Sequence, residues 1–88
     1  VATNRISIKD LERLTLIINE ATGSPVVPYA DGKAQIGNYH ISQAYGGVCL
    51  HRMHSEGGAI TTPLCSYHEP KRDLYNRMVA FIAGIELK

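Results

Sequence analysis

The residues best equipped for chemistry are four histidines, His40, His51, His54 and His68, and two cysteines, Cys49 and Cys65. Imidazole and thiolate are first-choice zinc ligands, and a cysteine beside a histidine can be activated as a nucleophile. The spacing contains no Cys-x-x-Cys and no His-x-x-x-His pair, so no standard zinc template is met. A nucleophile would also need a lowered thiol pKa and an oxyanion hole, and no residue pattern around Cys49 or Cys65 indicates either. Gly46-Gly47 and Gly57-Gly58 lack the strand-to-helix context of a phosphate loop. The expectation is a non-enzymatic protein with no metal and no cofactor, whose imidazoles make ordinary hydrogen bonds and whose thiols are small packing groups.

Two further groups of side chains could carry binding. Arg52 lies beside His51 and His54, while Lys71, Arg72 and Arg77 gather where a last helix is expected. Lys71 and Arg72 would stand in its first turn, where free amides also attract phosphate. Glu56, Glu69 and Asp73 dilute this basic set. Five of the six aromatics are tyrosine, a side chain whose apolar ring and polar tip suit interfaces as well as core edges.

The chain has 88 residues, 44% of them hydrophobic and 19% charged, with a net charge of +1. That allows one domain over residues 1–88 with one modest core. The near-neutral balance argues against a dedicated polyanion binder. No apolar run approaches a membrane span, and no signal peptide opens the sequence. Two reduced thiols in a cytoplasmic setting are therefore expected.

These residues need elements to position them. Residues 1–6 read as an extended lead-in. Ser7, with Asp10 three residues on, forms a capping box for a helix over 7–22. Ile8, Leu11, Leu14, Ile18 and Ala21 make its apolar face, widened by Leu16 and Ile17. Gly23 and Pro25 end it. Residues 24–33 read as a loop closing in an Asp31-Gly32 turn. Strands are expected over 34–42, 48–54 and 59–64, the last at a sheet edge because of Pro63. A second helix follows Pro70, with Leu74, Met78, Phe81 and Ile85 on one face and Gly84 allowing close packing. The order predicts an α+β fold: a helix, a three-stranded antiparallel sheet and a helix, with both helices on one sheet face.

A turn centred on Gly57 sets Met53 opposite Thr61, His51 opposite Pro63 and Cys49 opposite Cys65. By strand alternation, Val48, Leu50, Ile60 and Leu64 then face the helices. Cys49, His51, Met53, Thr61 and Cys65 occupy an open face. The two cysteines would sit within disulfide range there, bonded on oxidation and open in a reducing cell.

The order of elements resembles that of double-stranded RNA-binding domains, which use the first helix, the first strand-strand loop and a basic start to the last helix. Only Lys71 and Arg72 match in type and place. The sequence itself resembles small uncharacterised proteins of tailed bacteriophages and prophages. The likeness is carried by Ala21-Thr22-Gly23-Ser24-Pro25, Ile36-Gly37-Asn38-Tyr39-His40-Ile41-Ser42, Ala44-Tyr45-Gly46-Gly47, Leu50-His51-Arg52 and the stretch from Pro70 to Gly84. It implies a phage or prophage product in the cytoplasm of a bacterial host, and no particular activity. Asn38, Tyr39 and His40 are three polar side chains in a strand region, hard to explain by packing. With Tyr45, His51 and Arg52 they are the expected binding residues. The expected partner is a protein or a second copy of the chain as a homodimer. Nucleic acid bound through Arg52, Lys71, Arg72 and Arg77 is the alternative.

Overall fold

The computed structural model describes residues 5–86. The first four residues of the expected lead-in lie outside that range. The Ser7 hydroxyl accepts from the Asp10 backbone N–H at 3.2 Å, and the Asp10 carboxylate accepts from the Ser7 N–H at 2.9 Å. This reciprocal cap starts α1 (Ile8–Thr22). The bond from the Ser7 backbone, with the one from its hydroxyl, holds the Asp10 carboxyl below the usual carboxylate range. Gly23 ends the helix in the left-handed conformation at φ 70°.

The expected loop over 24–33 contains a miniature hairpin, β1 (Tyr29–Ala30) with β2 (Lys33–Ala34). Asp31 and Gly32 both take positive φ, which a two-residue turn of this twist requires. The strand expected from residue 34 begins later, as β3 (Tyr39–Ala44). A turn intervenes, with Gly37 at φ 94° and the Asn38 N–H bonded to the Gln35 carbonyl at 3.1 Å. Ile36 is left exposed beside it.

Next come β4 (Gly47–Met53) and β5 (Ile60–Thr61), giving an antiparallel sheet in the order β3-β4-β5. β5 is much shorter than the strand expected over 59–64, since Pro63 has no N–H for a ladder. Its register is also one residue off. Met53 faces Ile60 and Arg52 faces Thr61. A one-residue slip exchanges sheet faces, so Ile60 joins the Met53 row and is exposed instead of meeting the helices. Residues 62–68 then leave the sheet. The chain returns at Glu69, which exchanges two backbone bonds with Val48 at 2.8 and 2.9 Å. Gly47 makes this return possible: a Cβ there would lie 2.9 Å from the Glu69 carbonyl oxygen. Pro70 follows, and its carbonyl accepts the first bonds of α2 (Lys71–Glu86).

Both helices pack on one face of the three-stranded sheet, as the order predicts. Leu11 and Ile18 of α1, Leu74 and Met78 of α2, and Tyr39, Val48 and Leu50 of the sheet form one core. Two details differ from the periodicity. Leu16 and Ile17 are exposed, and Thr15 and Asn19 are buried instead. The Asn19 amide accepts from the Tyr39 N–H at 2.8 Å and donates to the Tyr39 carbonyl at 3.0 Å, clamping α1 to β3. In α2, Gly84 faces open space and makes no close approach. Among the described residues no helix is long and apolar enough to cross a membrane.

Candidate interaction surface

Pairing of β3 with β4 decides which side chains share the outer face. Tyr39 faces Arg52, His40 faces His51, Ile41 faces Leu50 and Ser42 faces Cys49. Leu50 and Tyr39 belong to the core, so His40, Ser42, Cys49 and His51 point away from the helices. The expected open face is therefore present in part. It is not open at Cys49, which is 1% exposed, because residues 62–68 fold across it and Cys65 forms a disulfide with Cys49. Their Cα atoms are 6.3 Å apart. The cysteines do not oppose each other in a ladder, as the sequence reading placed them. Cys65 reaches Cys49 from the excursion. Met53 is buried as well, enclosed by the turn before β3, where Gly37 and Asn38 bond its backbone at 2.9 and 2.8 Å.

The disulfide carries His68 onto the outer face beside the strand histidines. Four rings then follow one another edge to face. Tyr45 and His68 have ring centres 5.8 Å apart, His68 and His51 5.9 Å, and His51 and His40 5.5 Å. His68 Nε2 shares a hydrogen bond of 3.0 Å with the Ser42 hydroxyl. His40 Nδ1 donates to Asn38 Oδ1 at 3.2 Å, while Asn38 Nδ2 donates to the Pro25 carbonyl at 2.8 Å. Because the Asn38 amide is oriented by Pro25, the proton of His40 is placed on Nδ1. Burial lowers the pKa of His40 below its ordinary value. Burial also lowers that of His51, with the neighbouring His40 and His68 acting in the same direction. Near neutral pH these two rings are uncharged, and they present aromatic edges and hydrogen-bonding nitrogens in place of positive charge.

Tyr45 ends the ridge. It occupies the tight turn between β3 and β4 at φ 55°, followed by Gly46 at φ 75°, and is 96% exposed.

Of the six residues expected to bind, His40, Tyr45 and His51 meet on this ridge. Asn38 and Tyr39 do not. Asn38 is fully buried and Tyr39 is 5% exposed. Asn38 holds the turn to Pro25 and orients His40, and the Tyr39 ring packs on Phe81 at 6.1 Å. Polarity in a strand region here marks internal hydrogen bonding. Arg52 is exposed but lies over the Tyr39 ring at 5.0 Å. The alternative basic set is dispersed. Arg77 donates to the buried Glu69 at 3.1 Å. Lys71 lines a hollow with Gly46 and Gly47 at the turn end of β4. Arg52 stands at the other end of that strand, roughly 17 Å away at a strand's rise per residue.

His68, Ser42 and Asn19 complete the site and its support, and none of them was among the residues expected to bind. The one sequence signal for His68 was its position three residues after Cys65. His54 lies exposed beyond the end of β4. Among the described residues no three His, Cys, Asp or Glu side chains are arranged to hold a metal ion. Both cysteines are bonded, so neither offers a thiolate to a histidine. No protein-family model matches the chain, nor does any curated protein or solved structure.

Proposed function

We propose that the protein is a non-enzymatic binding module that takes a protein partner on the ridge formed by Tyr45, His68, His51 and His40. The observation that carries this reading is Tyr45. A residue with a Cβ is disfavoured in the left-handed region by roughly 1–2 kcal/mol, and Asn or Gly suits this turn better. The ring is almost wholly exposed, so burial within the chain does not offset that cost. Burial against a partner would, at about 1.5–3 kcal/mol for a large side chain, and tyrosine is a frequent interface anchor. The lowered pKa values of His40 and His51 and the net charge of +1 favour a protein over a polyanion. The resemblance to phage and prophage proteins supplies the setting, the cytoplasm of a bacterial host. Reductants there oppose a disulfide; Cys49 is buried and Cys65 half-buried, so attack would come at the Cys65 sulfur.

A photo-reactive phenylalanine analogue at position 45 should cross-link one defined protein in host cells. The same protein should co-purify with the wild type and be lost with Tyr45→Asn. Undiminished recovery with that variant refutes the reading. The order helix, three strands, helix favours nucleic acid as the second reading. In that case duplex RNA should shift in a gel at low salt, and the shift should weaken steeply with added salt and with Lys71→Ala or Arg72→Ala.

A further inference from the structure

β3 is one edge of the three-stranded sheet, with β4 on one side only, and the other edge, β5, has just two residues. Its backbone directions follow from two hydrogen-bond sets. Tyr39 turns its N–H and carbonyl toward the Asn19 amide. Val48, the partner of Gln43, gives its N–H and carbonyl to Glu69, so Gln43 and Val48 form a pair without mutual hydrogen bonds. Tyr39 and Gln43 therefore both aim their backbone groups away from β4, and with a period of two Ile41 does the same. Asn19 closes the edge at Tyr39. Beyond it, the outward groups of Ile41 and Gln43 meet no backbone partner among the described residues.

Natural edge strands are guarded by lysine, proline, a bulge or shortness. β3 has six residues with none of these, and no Asp, Glu, Lys or Arg occurs anywhere between Lys33 and Arg52. The strands themselves bring no like charges together, and among the described residues Glu12 is the one charged residue that lines the groove beside Ile41. The unguarded stretch is also symmetric: its two outward-facing residues flank Ser42 by one position each.

We propose that two copies of the chain pair antiparallel through β3, about a two-fold axis at Ser42, to make a continuous six-stranded sheet. Ile41 of one copy exchanges both backbone bonds with Gln43 of the other, and the symmetry repeats the exchange. Every free outward group on the strand is satisfied, and Asn19 sets the limit of the pairing. Side chains keep their faces, because opposite residues in this register are both odd or both even. The exposed Leu16 and Val26, which flank the groove beside Ile41, are brought under the joined edge. On the outer face His40 comes opposite Ala44 of the second copy, so the two ring ridges run on into each other. This inference does not depend on the ridge having a partner.

Sedimentation equilibrium at millimolar concentration should give a mass near twice 9.7 kDa. The Ile41 and Gln43 amides should exchange more slowly with solvent as concentration rises. Gln43→Pro removes an outward N–H that β4 does not use, and Gln43→Lys adds the charge a guarded edge carries. Each should return the mass to that of one chain with the far-ultraviolet circular dichroism unchanged. The lysine variant serves if the proline one does not fold. Tyr45→Asn should leave the doubled mass intact, which separates this proposal from the one for the ridge. A single-chain mass at every concentration overturns it. So does a doubled mass that survives a folded Gln43 variant, or one in which the Ile41 and Gln43 amides stay unprotected.

Discussion

Replacing Tyr45 by asparagine should make the fold more stable while removing the binding surface. The turn between β3 and β4 holds Tyr45 at φ 55° and Gly46 at φ 75°. Asn-Gly is the pair such turns favour, because the short amide tolerates the left-handed conformation. Relief of the backbone cost is worth about 1–1.5 kcal/mol, taken from the penalty for a residue with a Cβ in that region. Against it stands the edge-to-face contact of the Tyr45 ring with His68 at 5.8 Å. An aromatic contact contributes about 0.5 kcal/mol at the weak end of its range, the end that applies to a ring 96% exposed. The net expectation for Tyr45→Asn is a gain of about 0.5–1 kcal/mol, or about 2–8 °C in melting temperature for a chain of this size. Urea and thermal unfolding followed by circular dichroism would measure it. A loss of stability would overturn that expectation. It would mean that the ring contact holds residues 62–68 in place, that Tyr45 is accounted for by folding, and that its exposure says nothing of a partner.

Three other outcomes test the packing around the ridge. Cys65→Ser opens a loop whose ends are 16 residues apart, and loop-closure entropy predicts a loss of about 3 kcal/mol in a urea titration; a loss under about 1 kcal/mol would mean that the excursion is held by other contacts. Asn19→Ala strands the N–H and carbonyl of the buried Tyr39 and should cost about 2–4 kcal/mol, with faster amide exchange at Tyr39. Stability should be flat above the ordinary histidine pKa of 6.5 and fall as pH drops below it. His40 and His51 hold protons less readily folded than unfolded, so the unfolded chain takes up protons first. His51→Gln should flatten that decline when unfolding midpoints are compared down to about pH 5, and an unchanged slope would exclude the His51 imidazole as a source.

Much of the fold is legible from local pattern. Ser7, Asp10 and Gly23 bound α1 through bonds that span a few residues, and Leu74, Met78 and Phe81 announce α2 by their repeat. Register was less legible, because it depends on which of several turns around Gly57 the chain selects. The one-residue difference sent Ile60 to the other face. Asn38 and Asn19 were misread or passed over for a single reason. A buried polar side chain and a surface one look alike in a sequence, and only the partners, Pro25, His40 and Tyr39, tell them apart.

The α+β fold with both helices on one sheet face was readable from the residues in order, because caps, glycines and apolar spacing act over a few residues along the chain. That His68 joins His51, His40 and Tyr45 follows from the packed chain and from no local pattern. That ridge depends on contacts between residues distant in sequence: the disulfide of Cys65 to Cys49 and the return of Glu69 beside Val48. Such contacts form only where residues 62–68 can cross the sheet, and Gly47, with no Cβ in the way, lets the chain come back close enough.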